Sequence, residues 1–369
     1  LKPTSTIDQA GVVFDEIEVE LDGTTFRGWE SIRLSREMNS ACGTFEISAS
    51  LSHPFPGHAG ARAVVRLGGL VAARGFVDDV ELELSESGHS CTIGGRDKTC
   101  DLVDCSVPYN MGQLQNVYLD DIAKALSEPY GVEVDVGQAV RGDLIPRFVT
   151  NQGDTAWAAL ERIARLGGQL CYPTADGTLR IERPAQRDSV GSIQEGDSGL
   201  RLRWTDADRF NLYVIRGQNR GSDAGWGANV AAVQAFAIDD DVGRSRTLLV
   251  VAETAIDPQT AQERANWERT VRRARSAGVT AKVRGWRQKW NGPLWALNEL
   301  VPVSIPRWGF SAKLLVDGLA FTRDEQGTST ELRLVRPDSY SPEPSKSDPF
   351  KDWADKGSSS PDVDLDEEP

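Results

Sequence analysis

Four soft ligands lie close together in the first third of the chain: His89, Cys91, Cys100 and Cys105. Zinc is the metal such a set would hold, and zinc sites bring their ligands in tight knuckles such as C-x2-C. The H-x-C, x8, C-x4-C spacing is not a knuckle, so small buried thiols on strands are expected in place of a metal site. "EGDSGL" at 195–200 echoes the Gly-Asp-Ser-Gly of a serine nucleophile, with His53 and His58 upstream. Leu200 stands where a further glycine would follow, and "SLSHPF" is not a catalytic-histidine context. The run Asp239, Asp240, Asp241 lacks the glycine and glutamate that would make it a calcium loop. No phosphate loop, nucleophile elbow or H-E-x-x-H helix occurs. All three histidines precede residue 90, which leaves few general bases. No catalytic, metal or cofactor-binding residue is expected.

Cations and tryptophans offer a different chemistry. Arg264, Arg269, Arg272, Arg273 and Arg275 fall within 258–277, and "KVRGWRQKWNGPLW" at 282–295 interleaves charge with Trp286, Trp290 and Trp295. Such mixtures track nucleic acid or stack on sugars. The net charge of −14 opposes a phosphate partner, so Arg272, Arg273, Trp286, Trp290 and Trp295 are expected at subunit or partner contacts. The plainer reading has the helix burying Trp267, Val271 and Ala274, its arginines pairing with acidic neighbours, and the tryptophans filling barrel ends.

The elements that carry these residues are mostly strands. Residues 11–107 alternate apolar and polar side chains between Gly, Pro and Asn breaks, as a small antiparallel barrel or sandwich would. At Met111 the period changes: Leu114, Tyr118, Ile122 and Leu126 recur at helical spacing until "EPYG". A second helix is expected in "GDTAWAALERIARLGG", capped by Asp154 or Thr155 and ended by Gly167 and Gly168. "QLCYPTADGTLRIER" then reads as a hairpin turning at Asp176 and Gly177. Strands resume near Leu200, interrupted by one helix over 258–277 that Asp257 would cap and Gly278 would close.

The chain of 369 residues is long enough for two or three domains, and its boundaries are read as 1–108, 109–186, 187–340 and 341–369. The last segment holds nine Asp/Glu against three Lys amid Pro and Ser, and is expected to be disordered. Five cysteines, an odd count, with no secretory signal at the start, favour reduced thiols and a soluble protein that no membrane segment anchors.

In chain order these segments resemble the baseplate hub proteins of contractile-tailed phages, those of the phage Mu group in particular. The stretch "RGFVDDVELELSESGHSCTIGGRDKTCDLVDCS" resembles the end of that family's first barrel, with Arg96, Lys98, Asp101 and Asp104 as its structural motif. "GDTAWAALERIARLGGQLCYPTADGTLRI" is similar to the small α/β unit of phage hubs and type VI secretion spikes. "VRGWRQ…GPLWALNELVPV…KLLVDGLAFTRDEQGTSTELRLVRPDSY" is similar to its last barrel. The resemblance covers about residues 10–340; the acidic tail has no family counterpart, and Cys100 replaces an expected small residue. It implies a mostly β fold: two tube-type antiparallel barrels and a small α/β insert. It implies a structural hub and no enzyme: a homotrimeric ring joining the sixfold tail tube to the threefold central spike, passing DNA without stably binding it. Its place would be the virion tail baseplate, assembled in the bacterial cytoplasm. A tail-tip cell-wall hydrolase and a carbohydrate-binding module are the alternatives.

Overall fold

The computed structural model describes residues 15–51, 55, 57–85, 88–108, 111, 113–137, 144–151, 153–166, 169–196, 198–218, 232–252, 256 and 258–340. At 50% strand against 18% helix the chain is mostly β. It forms two compact units: Leu1–Leu200 with Thr280–Val301 and Leu315–Leu334, and Arg201–Val279 with Pro302–Leu314 and Val335–Pro369. The expected segment 187–340 therefore contributes to both, while the tail over 341–369, His53, Asp257, Gly167 and Gly168 lie outside the described residues.

The first unit opens with β1 (Ile17–Leu21), β2 (Thr24–Phe26), β3 (Ser31–Glu37), β4 (Thr44–Leu51), β5 (Arg62–Leu67), β6 (Leu70–Ser85) and β7 (Gly88–Asp97). Period-two patterning drives them: Ile17, Val19 and Leu21 of β1, and Ile32 and Leu34 of β3, are buried while their neighbours are not. Asp22 and Gly23, both at positive φ (46° and 86°), turn β1 into β2, a conformation tight hairpins need. The strands run in the order β3-β4-β7-β6-β5-β1-β2. At Gly75 the backbones of β6 and β7 come so close that a Cβ would lie 1.8 Å from the Arg96 carbonyl oxygen.

An α/β segment follows: α1 (Cys100–Asp104), β8 (Leu114–Val117), α2 (Leu119–Ser127), β9 (Val134–Val136), β10 (Ile145–Phe148), α3 (Ala156–Leu166), β11 (Leu170–Pro173) and β12 (Leu179–Glu182). Leu102, Ile122, Leu126, Phe148, Leu160 and Ile181 close one core. The structure corrects the expected start of the first long helix. Leu114 lies on a strand that pairs with β10, Asn116 takes φ +52°, and α2 begins only at Leu119. A spacing of four fits strand followed by helix as readily as helix alone, and pairing with a segment thirty residues on decided between them. Thr155 caps α3 as expected, its Oγ1 accepting the Ala158 N–H at 3.2 Å. The β11–β12 hairpin also forms, Leu170 opposite Glu182, with Gly177 at φ +74° in its turn.

Later strands are β13 (Arg187–Asp188), β14 (Ile193–Gln194), β15 (Ser198–Trp204), β16 (Leu212–Gln218), β17 (Ala232–Ile238), β18 (Thr247–Val251), β19 (Ala277–Arg284), β20 (Glu299–Ile305), β21 (Phe310–Asp324) and β22 (Gly327–Val335). Helix α4 (Pro258–Arg275) precedes β19, so Gly278 lies in a strand and closes nothing. In the first unit β21 pairs antiparallel with β3, from Gly318 opposite Glu37 to Arg323 opposite Ile32. The first and last β regions of the chain thus share one sheet.

In the second unit β17, β16 and β18 form a three-stranded sheet with β16 in the middle. Its inner face, Tyr213, Ile215, Ala235 and Ala237, packs on Ala261 and Ala265 of α4. Small residues on the helix let it approach the sheet closely.

Candidate assembly surfaces

The described part of the stretch 94–110, residues 94–108, holds structural contacts between β7 and α1. Arg96, at the end of β7, donates to Asp78 (Nε–Oδ2 2.7 Å) and to Asp104 of α1 (Nη2–Oδ2 2.8 Å), tying hairpin to helix. These hydrogen bonds raise the guanidinium pKa above its ordinary value and lower that of Asp104. The Lys98 N–H donates to the Arg74 carbonyl at 2.9 Å, and the Asp101 carbonyl accepts the Cys105 N–H at 3.0 Å. Of the four motif residues, Arg96 and Asp104 join β7 to α1 through their side chains, while Lys98 and Asp101 contribute backbone hydrogen bonds. Cys91 and Cys100 are buried while His89 is exposed, and no metal-holding group of His, Cys, Asp and Glu occurs among the described residues. Burial, reinforced by Asp101, pushes the Cys100 thiol up to about 12, far from thiolate reactivity.

Sequence reasoning missed two buried polar nodes. Asp97 is 1% exposed and accepts Arg36 Nε at 2.8 Å, Arg36 Nη2 at 2.9 Å and the Gly43 N–H at 2.9 Å. The alternation that put Asp97 on the inner face of β7 was visible; its partner 61 residues away was not. The second node centres on buried Glu182, which accepts Tyr172 Oη, Asn298 Nδ2 at 2.7 Å and Arg187 Nη2 at 3.2 Å. Asn298, fully buried, also holds the Ala185 N–H through Oδ1 at 2.7 Å.

Glu299 borders this node, accepting Gln288 Nε2 at 2.6 Å, and burial pushes its carboxyl up to about 7, partly offset by Arg187. The folded chain holds this proton more tightly than the unfolded one. The stability it contributes is therefore complete below about pH 4.5 and is lost as pH rises through about 7. Glu299→Gln is expected to raise the melting midpoint at pH 8 and to lose that advantage progressively towards pH 4.5. Thermal scans of both chains across that range check it.

The candidate contact residues divide. Trp286 and Trp295 are 2% and 4% exposed, and Trp286 Nε1 donates to the Thr322 carbonyl at 3.0 Å. Both are buried residues of the first unit, whereas Trp290 is 66% exposed. On α4, Arg264 and Arg272 both bind the buried Glu268 (3.0 and 3.2 Å), and Arg273 binds Asp241 at 2.6 Å. Arg264 also stacks on Trp267, which is half-buried, and Arg275 on Tyr340. Arg264, Arg272 and Arg273 are thus engaged by carboxylates of their own chain.

Uncovered apolar strand surface occurs at two other places. Leu82 and Leu84 near the tip of the β6–β7 hairpin are 57% and 75% exposed, and Phe236, Ile238, Leu249 and Val251 on the outer sheet face are 49% to 67% exposed. "VELELS" and "TLLVV" gave the period of a strand but no sign that the side meant for a core would lack one.

Comparison with known proteins accounts for a fold of this kind. Over 335 residues, 86% of the chain and 87% of the relative, it is 30% identical to the baseplate hub protein gp44 of Escherichia phage Mu. The chain belongs to the Mu baseplate hub protein family. Three family profiles match in order: the Mu phage baseplate assembly protein GpP-like N-terminal domain at 16–97, the baseplate hub protein gp44-like second domain at 99–183, and the GpP fourth domain at 257–343. The crystal structure of the 43 kDa tail protein of prophage MuSo2 from Shewanella oneidensis is similar at 30% identity and a TM-score of 0.78, over 89% of this chain and 99% of that one. The tail protein from Neisseria meningitidis MC58 shares the fold at 22% identity and a TM-score of 0.77, over 89% and 98%. As a baseplate hub protein, the chain is a structural component of a virion tail and not an enzyme. No helix among its described residues is long and apolar enough to cross a membrane.

Proposed function

We propose that three copies of this hub protein form a ring that joins the sixfold tail tube to the threefold central spike and lines part of the DNA path. The observation that carries this reading is the uncovered apolar strand surface at Leu82 and Leu84 and at Phe236, Ile238, Leu249 and Val251. Uncovered strands are an aggregation hazard in a free chain and an assembly instruction in a closed oligomer. Members of a tail family find their partners among tail components, here the tube and spike proteins. The ring acts by geometry, with no chemical step, and assembles in the host bacterium. Its bore is neutral or negative, because each cation facing a passing duplex would add a salt-dependent attraction. The net charge of −14 and the internally paired arginines of α4 favour that sign.

Sedimentation of the purified chain is expected to give a trimer, and images a ring with a central hole. Duplex DNA is expected not to bind even at low salt. A monomer at high concentration that stays single when tube protein is added removes the ring. Tight DNA binding abolished by Arg272→Ala with Arg273→Ala removes the inert bore.

A further inference from the structure

The chain between Glu182 and Gly191 is fastened by hydrogen bonds rather than by a core. None of residues 183–190 is buried, so no enclosed apolar side chain anchors them. Ala185 takes φ +60°, a left-handed conformation that an L side chain adopts only where its surroundings impose it. Asn298 imposes it here, its Oδ1 accepting the Ala185 N–H at 2.7 Å. Further along, Arg187 on β13 lies opposite Glu299 on β20. The Ser189 N–H donates to the Leu300 carbonyl at 2.9 Å, and the Val190 N–H donates to Gln288 Oε1 at 2.8 Å. The other end of the same amide, Gln288 Nε2, donates to Glu299 at 2.6 Å. One side chain therefore joins the segment to the carboxyl.

Charge is unbalanced around that carboxyl. Arg180 on β12 pairs with Asp135 of β9 at 2.8 Å and lies 3.6 Å from Glu182. Arg187 Nη2 donates to Glu182 at 3.2 Å and to Tyr172 Oη of β11 at 3.1 Å, while its buried Nε has no acceptor among the described residues. Asp188, next on β13, is exposed and lies opposite Leu300. Two guanidinium groups thus serve three carboxyls, those of Asp135, Glu182 and Glu299. With Glu299 neutral the charges balance. Its ionised form adds a half-buried negative charge that neither arginine is free to match.

We infer that Glu299 is a proton-operated latch: with its carboxyl neutral the segment 183–190 stays fastened to β20 and Gln288, and when it ionises the segment opens to admit water while the strands of the first unit stay paired. Opening is local because a stretch without buried apolar contacts lies at the low end of the stability scale. It also releases the strain at Ala185. The sign follows from linkage. Burial holds the Glu299 proton from 4.5 up to about 7, so opening is suppressed below that window and grows as pH rises through it. The latch belongs to a single chain and does not depend on how many copies assemble.

Hydrogen exchange of the full chain, read by mass spectrometry and corrected for the intrinsic pH dependence of amide exchange, tests the latch. The peptide holding Ser189 and Val190 is expected to lose protection on the order of 50-fold between about pH 5 and pH 8. At every pH it should exchange faster than peptides from β3 and β4. Glu299→Gln keeps the shape of the neutral carboxyl without a proton to lose. It is expected to match the parent chain at pH 5 and to hold that protection at pH 8. Protection that does not fall with pH in the parent chain, or that still falls in Glu299→Gln, overturns the latch. Exchange of this peptide at the same rate as β3 and β4 would show that the proton acts on the whole unit, and local opening would be withdrawn.

Discussion

Replacing Asp97 by alanine is expected to destabilise the folded chain by about 3 to 5 kcal/mol, the cost of leaving a buried charge without its partner. Arg36 is 5% exposed, so its guanidinium could not turn to water, and the Gly43 N–H would lose its acceptor as well. Chemical denaturation should show the loss as a lower midpoint. Replacing both partners by apolar residues of similar volume, Arg36→Met with Asp97→Leu, is expected to recover most of it, since a well-packed apolar pair avoids the desolvation that the ion pair incurs. A single variant as stable as the parent chain would show that water reaches Arg36 and that the node does not hold β3 to β7.

Trp286→Ala is expected to cost about 3 to 5 kcal/mol, because the cavity left by a buried indole collapses only partly. Its hydrogen bond to Thr322 is lost in addition. Trp290→Ala, four residues on and 66% exposed, should change stability by no more than about 0.5 kcal/mol. Thermal unfolding of the two variants side by side checks the contrast. Equal losses would mean that Trp290 packs on something in the folded state, and its place as a surface contact would be withdrawn.

Much of the fold was legible because local periodicity carries it. The strands from β1 to β7, helix α3 with its Thr155 cap and the β11–β12 hairpin follow from patterns that a few neighbouring residues complete. The start of α2 was misread for the same reason: Leu114 and Tyr118 satisfy a local period of four, and only pairing with Ile145–Phe148 puts Leu114 on a strand. Metal knuckles and nucleophile elbows are short-range spacings, so a sequence can be searched for them directly.

What the site residues do was decided by tertiary structure. The Arg–Trp segment looks uniform along the chain, yet packing sends Trp286 and Trp295 inward and leaves Trp290 outside. The arginines of α4 look basic until Glu268 and Asp241 are brought against them. Asp97 looks like one of several aspartates until Arg36, far away in sequence, encloses it. A strand pattern records which side chains need cover but not whether the chain supplies it. At Leu84 and Val251 the pattern asks for a core and the tertiary structure leaves both exposed, because no local period encodes where the core ends.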